Sequence, residues 1–459
     1  MAGNQITGFS LLDNPTPDDV LHINSAGIDY QVKVSVLQAL TLAVTTKASQ
    51  NTTLSLLDKA RQLAFTYVGR KTCVIPDDLP VGYSVLLVNA NGGGPLVVYP
   101  SAAAKIKGTG VPIIIPEQGD VATITCIAAN RYSVSGKYER QYIEFTAYKN
   151  AGNIAFTIQA GEAFKIEWWD GTVDSYNTSA ATAVSKYSPD AEIKRVRVFA
   201  TVANGPTKIT GPNNGITNVK AENLSTLTEL SLSNNGITNF DSRGLDELTK
   251  LVLTANPITR VYFPNLSKLS ELNLESTDIH TIVPDGMISL YTLYVGDSNL
   301  LTFSGSGFTR LNSLYIQNCP GLASFNGVGM PSLVRLTMNG CTGITYLDCK
   351  GLHSLARLFA SGMGSLEEFN GNDLRQITHL DLSSATFLQK LTNFPTVETG
   401  PESVIKLGDT DLSSAQITAM YNAVGSPVGL TKNINVVGAT GAGASTTPAT
   451  AKGWTVTNA

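Results

Sequence analysis

One spacing constrains this chain more than any other feature. Pairs of apolar residues, one position apart, recur through its second half. The first member of each pair falls at Ile209, Leu230, Leu251, Leu272, Leu293, Leu314, Leu336, Leu358 and Leu380. The first five steps are 21 residues and the next three are 22, and a looser copy starts at Ile405. In full form the unit reads Leu227-x-x-Leu230-x-Leu232-x-x-Asn235-x-Ile237-x-x-Phe240. A unit this short cannot bury its apolar face alone, so successive units must stack into a solenoid.

The longer repeats keep their phase. From the apolar residue after the Asn site to the next repeat start is always 14 residues: Ile237 to Leu251, Leu322 to Leu336, Leu366 to Leu380. The insertion therefore lies just past the Asn site, as in Cys319-Pro320-Gly321-Leu322. The L-x-x-L-x-L-x-x-N pattern is the leucine-rich-repeat signature. Its Asn must satisfy backbone groups where the chain leaves the strand. That column reads Asn214, Asn235, Asn256, Thr277, Ser298, Cys319, Cys341, Met363, Ala385. Met and Ala cannot replace Asn, so the ladder is expected to degrade toward the C-terminus.

At 459 residues the chain exceeds one core, and about three domains is the starting expectation. Net charge is −4 and only 15% of residues are charged, which gives no sign of a phosphate-backbone binder. Met1 to Ile6 shows neither a basic n-region nor an apolar h-region, and no run of about 18 apolar residues occurs. The expectation is a chain with no signal peptide and no membrane insertion. The five cysteines (Cys73, Cys126, Cys319, Cys341, Cys349) lack a CxxC framework and read as small buried side chains rather than a metal site or redox pair.

Along the chain, the turn cluster Asp13–Asp19 precedes an alternating run at Tyr30–Val34, and Val36–Ala43 is a short helix or strand. The spacing of Leu54, Leu57, Ala60, Leu63 and Ala64 predicts an amphipathic helix over 51–64. Residues 65–136 alternate strand candidates (83–89, 96–99, 111–115, 121–127) with Gly-rich turns, a small all-β module. Residues 137–204 form a second, with a hairpin turn at Asp170-Gly171 and a strand at Lys194–Phe199. The repeats occupy 205–412. Over 413–459 a helix at Ser413–Val424, a strand at Asn433–Val437, a flexible loop over 438–445 and a strand at Gly453–Thr457 would cap the raw end of the solenoid, with Trp454 over the last rung. The fold class is thus multidomain and mainly β: an N-terminal segment (1–64), two small β-domains, and a capped solenoid.

Four segments carry resemblances. Ser10–Asp19, continuing into His22–Tyr30, resembles the N-terminal attachment segment of tailed-bacteriophage fibre and spike proteins. Val81–Asn89 through Asn130–Gly136 resembles a small β-module of phage tail fibres. Ile166–Val173 resembles the hairpin of an Ig- or PKD-like module that precedes leucine-rich repeats in phage proteins, with Trp169 where that hairpin has Gly. Ser413–Ile417 with Gly453–Thr457 is similar to the closing segment of those repeat proteins. The resemblance implies a virion protein, a homotrimeric fibre or spike. Its N-terminus would dock on other virion proteins, and its repeats would face a host surface glycan or protein.

No catalytic pattern emerges. His22, His280, His353 and His379 lack zinc spacing, and there is no GxGxxG, P-loop or G-x-S-x-G. A glycosidase needs two carboxylates about 5–9 Å apart, which a solenoid face could supply, for example with Glu271 and Glu275. A non-catalytic chain with no cofactor and no metal is expected. The residues beside the paired leucines should face outward on the expected concave sheet, since side chains alternate across a strand. There Tyr294, Tyr315 and Phe359, flanked by Arg335 and Arg357 and neighboured by Gln317 and Asn339, form the candidate ligand-binding set. The plainer reading is that these rings are good strand formers packing on each other. Three functions fit: a host-recognition fibre, a structural virion component such as a capsid decoration or collar protein, and a bacterial adhesin. The last would need a secretion signal.

Overall fold

The computed structural model describes, in the first 140 residues, the stretches 20–25, 28–33, 44–47, 51–53, 62–65, 71–76, 79–89, 96–100, 105–106, 113–115, 121–129 and 131–136. Beyond them it describes residues 141–458, apart from 162, 201–204, 265, 285, 396–401 and 427–430. The chain divides into two compact units, Met1–Arg140 and Gln141–Ala459. The turn cluster at 13–19, the segment at 36–43 and most of the attachment-like segment from Ser10 lie outside the described residues.

In the first unit, Val20–Ser25 and Ile28–Lys33 pair as an antiparallel hairpin. The chain then alternates between two sheets. Val44–Lys47, Gln62–Phe65 and Ser84–Asn89 stack in parallel in one. Asn51–Thr53, Lys71–Ile75 and Leu96–Pro100 stack in parallel in the other. Val121–Ala128 and Arg131–Gly136 join the first sheet as a hairpin, with Lys105–Ile106 at its edge. The two sheets share a core of Leu63, Cys73, Ile75, Val85, Leu87, Val98, Ile124 and their neighbours. The helix expected over 51–64 does not survive at either end, because Asn51–Thr53 and Gln62–Phe65 are strands. Leu63 pairs with Leu87 and is fully buried, so long-range pairing outweighed a weak local period. The boundary expected at 64/65 falls inside a strand.

The second unit opens as a two-sheet sandwich. One sheet runs Val173–Asn177, Ala163–Glu167, Ile193–Ala200, Tyr142–Tyr148, Ile216–Glu222. The other holds Thr182–Ser188, Gly152–Ala160 and Pro206–Thr210. Phe145 and Phe156 stack across the two at 4.9 Å. The expected hairpin forms between Ala163–Glu167 and Val173–Asn177. Its turn is tied by Gly171 at φ +82° and by Thr172, whose amide and hydroxyl both donate to Asp170. Trp168 is buried and donates its indole N–H to Asp174 at 2.7 Å.

No break separates sandwich from repeats. Pro206–Thr210 pairs in parallel with Glu229–Ser231, and the same sheet continues through Lys250–Val252, Glu271–Asn273, Thr292–Tyr294, Ser313–Tyr315, Arg335–Thr337, Arg357–Phe359 and His379–Asp381. One apolar core runs from Ile143 to Trp454. The period appears as strict register: Leu230, Leu251, Leu272, Leu293, Leu314, Leu336, Leu358 and Leu380 stand on successive strands, all fully buried. A second set of short strands lines the opposite side, such as Asn239–Asp241 with Arg260–Tyr262 and Tyr346–Asp348 with Glu368–Asn370. The extra residue of the longer repeats lies between the two strands of a rung, where expected: Lys250 leads to Arg260, but Ser313 to Ser324.

The Asn column works as its chemistry demands. Asn235 Oδ1 accepts from the amides of Asn214 (2.9 Å) and Ile216 (3.0 Å), and its Nδ2 donates to the carbonyls of Gly211 (3.0 Å) and Leu232 (2.9 Å). Asn256 repeats this one rung on, toward Ile237, Leu232 and Leu253. Thr277 and Ser298 keep only one backbone bond each, to Leu274 and Val295. Cys341 reaches the Ile316 carbonyl at 3.0 Å. The decline beyond it is not final, because Thr410 resumes the column with a 2.8 Å bond to Leu407.

The residue before each column position turns left-handed. Asn213, Asn234, Ala255, Ser276, Asp297, Asn318 and Ser384 have φ between 53° and 57°, and Gly340 and Gly362 serve the same role. Asn, Asp and Gly tolerate that conformation best, so Ala255, which has no polar side chain to bond locally, is the most strained of the series.

The closing segment forms the expected helix, Ser414–Ala423, capped by Ser413. Instead of plugging the end, the chain adds rungs: Glu402–Lys406, Thr431–Asn435 and Thr455–Thr457 extend the long sheet. Trp454 is buried and donates to the Gly425 carbonyl at 2.9 Å. Lys452 donates to the carbonyls of Asn422 and Val424 at the helix C-terminus, where a cation complements the dipole. The loop expected to be flexible is a series of hydrogen-bonded turns with Ala439 and Ala444 buried. A short helix, Thr447–Thr450, comes after it.

Candidate binding surface

Each short strand of the long sheet buries its central leucine and leaves its two neighbours on the open side. The open side thus carries two columns in register, and what fills them changes along the solenoid. In the first column Lys208 pairs with Glu229 at 2.7 Å, and Lys250 with Glu271 at 2.8 Å. The hydrogen bond to Glu271 raises the pKa of Lys250. Beside them Asn273 accepts from Thr254 (2.9 Å) and donates to Glu275 (3.2 Å). Glu271 and Glu275, the carboxylates considered for glycoside chemistry, both hold protein partners.

The middle of the face is aromatic. Tyr294 and Tyr315, adjacent in register, stack at 4.6 Å with their planes 12° apart. The next position is Thr337, too short to fill its place between Tyr315 and Phe359. Arg335 fills it from the neighbouring column: its guanidinium carbon lies 5.4 Å from the Tyr315 ring centre and 4.5 Å from that of Phe359. The guanidinium thus lies near two electron-rich rings, each contact worth about 0.5–2 kcal/mol. Phe359 packs in turn on His379 at 4.5 Å. The result is one continuous stack, Tyr294–Tyr315–Arg335–Phe359–His379.

Of the residues singled out in sequence, Tyr294, Tyr315, Phe359 and Arg335 are thus brought into contact, half-exposed. Arg357 stands exposed beside them. Gln317 and Asn339 have internal partners. Gln317 Nε2 reaches over Gly296 to Glu275 at 2.9 Å, and a Cβ at Gly296 would stand 2.5 Å from it. Asn339 accepts from the Ser361 amide at 2.9 Å. His379 was not singled out from sequence. Its signal was its place in the same column as Arg335 and Arg357.

Charge obeys the same division. Arg335, Arg357 and His379 occupy one column on consecutive strands. The nearby carboxylate, Asp381, is buried and paired with Lys406 at 3.2 Å. Burial, together with the Lys406, Arg357 and Arg335 charges, lowers the pKa of His379 against the opposing pull of Asp381. The hydrogen bond shared with Cys341 lowers the pKa of Cys319. A hydrogen bond to Cys319 and burial raise Cys341, and burial raises Cys349. Among the described residues no group of three His, Cys, Asp or Glu could hold a metal ion. A cavity of about 590 Å³ lies elsewhere, on the outer strands, bounded by Arg260, Tyr262, Phe263, Thr281 and Val283. None of the stacked residues lines it.

No family model and no curated protein matches the chain. Among solved structures, the functional domain of InlJ from Listeria monocytogenes, which includes a cysteine ladder, aligns at 16% identity. The alignment covers 50% of this chain and 74% of that one, with a TM-score of 0.21. Register, period and buried leucine column together establish, from this chain itself, a leucine-rich-repeat-like solenoid continuous with a β-sandwich.

Proposed function

We propose that this chain is a non-catalytic recognition protein, a bacteriophage virion fibre or spike whose solenoid presents its open face to the host cell. The observation that supports this is the half-exposed stack of Tyr294, Tyr315, Arg335 and Phe359 on a rigid sheet. Rigid aromatics offer apolar area at low entropic cost, and their ordering here precedes any ligand. In this reading the N-terminal segment docks on other virion proteins and the chain assembles as a homotrimer, as the fibre-like segments at 10–30 and 81–136 imply. The ligand is a glycan or protein of the host surface, and neither nucleic acid nor membrane insertion has a part.

A structural role in the virion, as a capsid decoration or collar protein, is the second reading. It draws on the same geometry, since rings stacked on one another also stabilise adjacent rungs. The test is saturable binding of labelled full-length chain to permissive cells, beside the folded triple variant Tyr294→Ala, Tyr315→Ala, Phe359→Ala. Binding lost in the variant is the expected result. Binding kept by the variant moves the site off this face. No binding by the intact chain favours the structural role.

A further inference from the structure

The column that holds Arg335, Arg357 and His379 breaks the rule its own first half obeys. Strands in a sheet stand about 4.8 Å apart, so like charges in register repel. Upstream, the column alternates Lys208, Glu229, Lys250 and Glu271, and each cation meets a carboxylate. Downstream, Arg335 stands in register with Arg357, with His379 on the next strand and Lys406 one strand beyond, in the neighbouring column. Neither arginine side chain forms an ion pair or donates a hydrogen bond to any described residue, and Asp381 is taken by Lys406. Arg335 Nε, Thr337 Oγ1 and His379 Nε2 are buried with no hydrogen-bond partner among the described residues. A chain of net charge −4 has carboxylates to spare, yet no described carboxylate pairs with either arginine. Two guanidiniums carry ten donors and no acceptor, in the planar fork that matches carboxylate and phosphate.

We infer that Arg335, Arg357 and His379 form an anion subsite, and that the ligand of the open face is an acidic saccharide. Its sugar ring packs on the Tyr294–Tyr315 end of the stack and its carboxylate or phosphate sits at the arginines. Ring and charge belong together, because Arg335 is both a member of the stack and one of the cations. The inference rests on the open face being a binding surface, and it names the chemistry of what binds.

The test uses the full chain with three probes: tetragalacturonate, its fully methyl-esterified and therefore neutral form, and inorganic phosphate. Tetragalacturonate should bind at least tenfold more tightly than its ester, and added salt should weaken only the acid form. Arg357→Gln, an exposed position outside the stack, should weaken the acid roughly tenfold and leave the ester unchanged. The double variant Arg335→Gln, Arg357→Gln should abolish the preference. At matched ionic strength, phosphate should raise the melting temperature of the parent chain and not that of Arg357→Gln. Phosphate stabilisation without tetragalacturonate binding keeps the anion subsite and assigns it to a phosphorylated sugar. Acid and ester binding alike, or an acid preference intact in folded Arg357→Gln, together with no phosphate effect, overturns the inference. Host-cell binding lost on removing the aromatics but unchanged in Arg357→Gln would sink the subsite and leave host recognition standing. Tetragalacturonate binding without cell binding would do the reverse.

Discussion

The early and late rungs of one solenoid solve the same problems differently. In the early rungs, Asn235 and Asn256 each serve several backbone groups in the turn, and lysines alternate with glutamates on the open face. In the late rungs the turn column falls to Cys341, Met363 and Ala385, while the open face gathers unpaired cations among aromatic rings. The backbone path is nearly the same in both. The difference teaches that a repeat fold can be held by its leucines and register alone. That leaves the remaining columns free either to satisfy one another or to stay unsatisfied toward a partner.

The comparison breaks most completely if the late rungs stand without the C-terminal segment. Ending the chain after Leu380 removes the strands at 402–406, 431–435 and 455–457 along with Trp454, and exposes the apolar core. The expected product aggregates. A soluble, monodisperse truncation on size-exclusion chromatography would falsify the capping role of that segment. Next in size is Asn256→Ala, which orphans the Ile237 amide and the Leu253 carbonyl and leaves the Leu232 carbonyl to Asn235 alone. It should cost about 3 kcal/mol in chemical denaturation, against about 1 kcal/mol for Ser298→Ala further down the solenoid. Equal losses would remove the distinction between the two halves of the ladder.

Ala255→Gly should stabilise the early rungs by about 0.5–1 kcal/mol, because it relieves the left-handed strain at φ 55°. On the open face, Lys250→Met should lose at most about 1 kcal/mol, since its pair is half-exposed. Arg357→Gln should show the opposite sign, a gain of a few tenths of a kcal/mol from relieved repulsion. Matching signs would mean that the late column is no more frustrated than the early one. The smallest effect concerns pH. Because the folded state lowers the pKa of His379, the unfolded chain binds its proton more readily. Stability is then full above the unfolded value of about 6.5 and declines as pH falls below it. His379→Gln should flatten that part of the curve in urea titrations at pH 5 to 8.

Much of the solenoid was legible because a leucine every 21 or 22 residues leaves few ways to bury it. The aromatic members of the surface set were legible for the same reason, since a strand fixes which neighbours share a face. Three features were not. Leu63 looked helical because its partner, Leu87, lies on a distant strand. The sandwich and repeats looked separate because the first repeat strand, Pro206–Thr210, also pairs with Gly152–Ala160, and that pairing leaves no local mark. Gln317 looked available because its acceptor, Glu275, stands two rungs away across a glycine.

The sequence by itself determined the repeat, the place of its insertion, the buried leucine column and the residues that share the open face, all of which come from periodicity and side-chain alternation. Only the tertiary structure decided that Arg335 leaves its own column to lie between Tyr315 and Phe359. The reason is the short side chain of Thr337, which leaves between two rings a gap that a guanidinium fills, and no reading of one strand alone contains that gap.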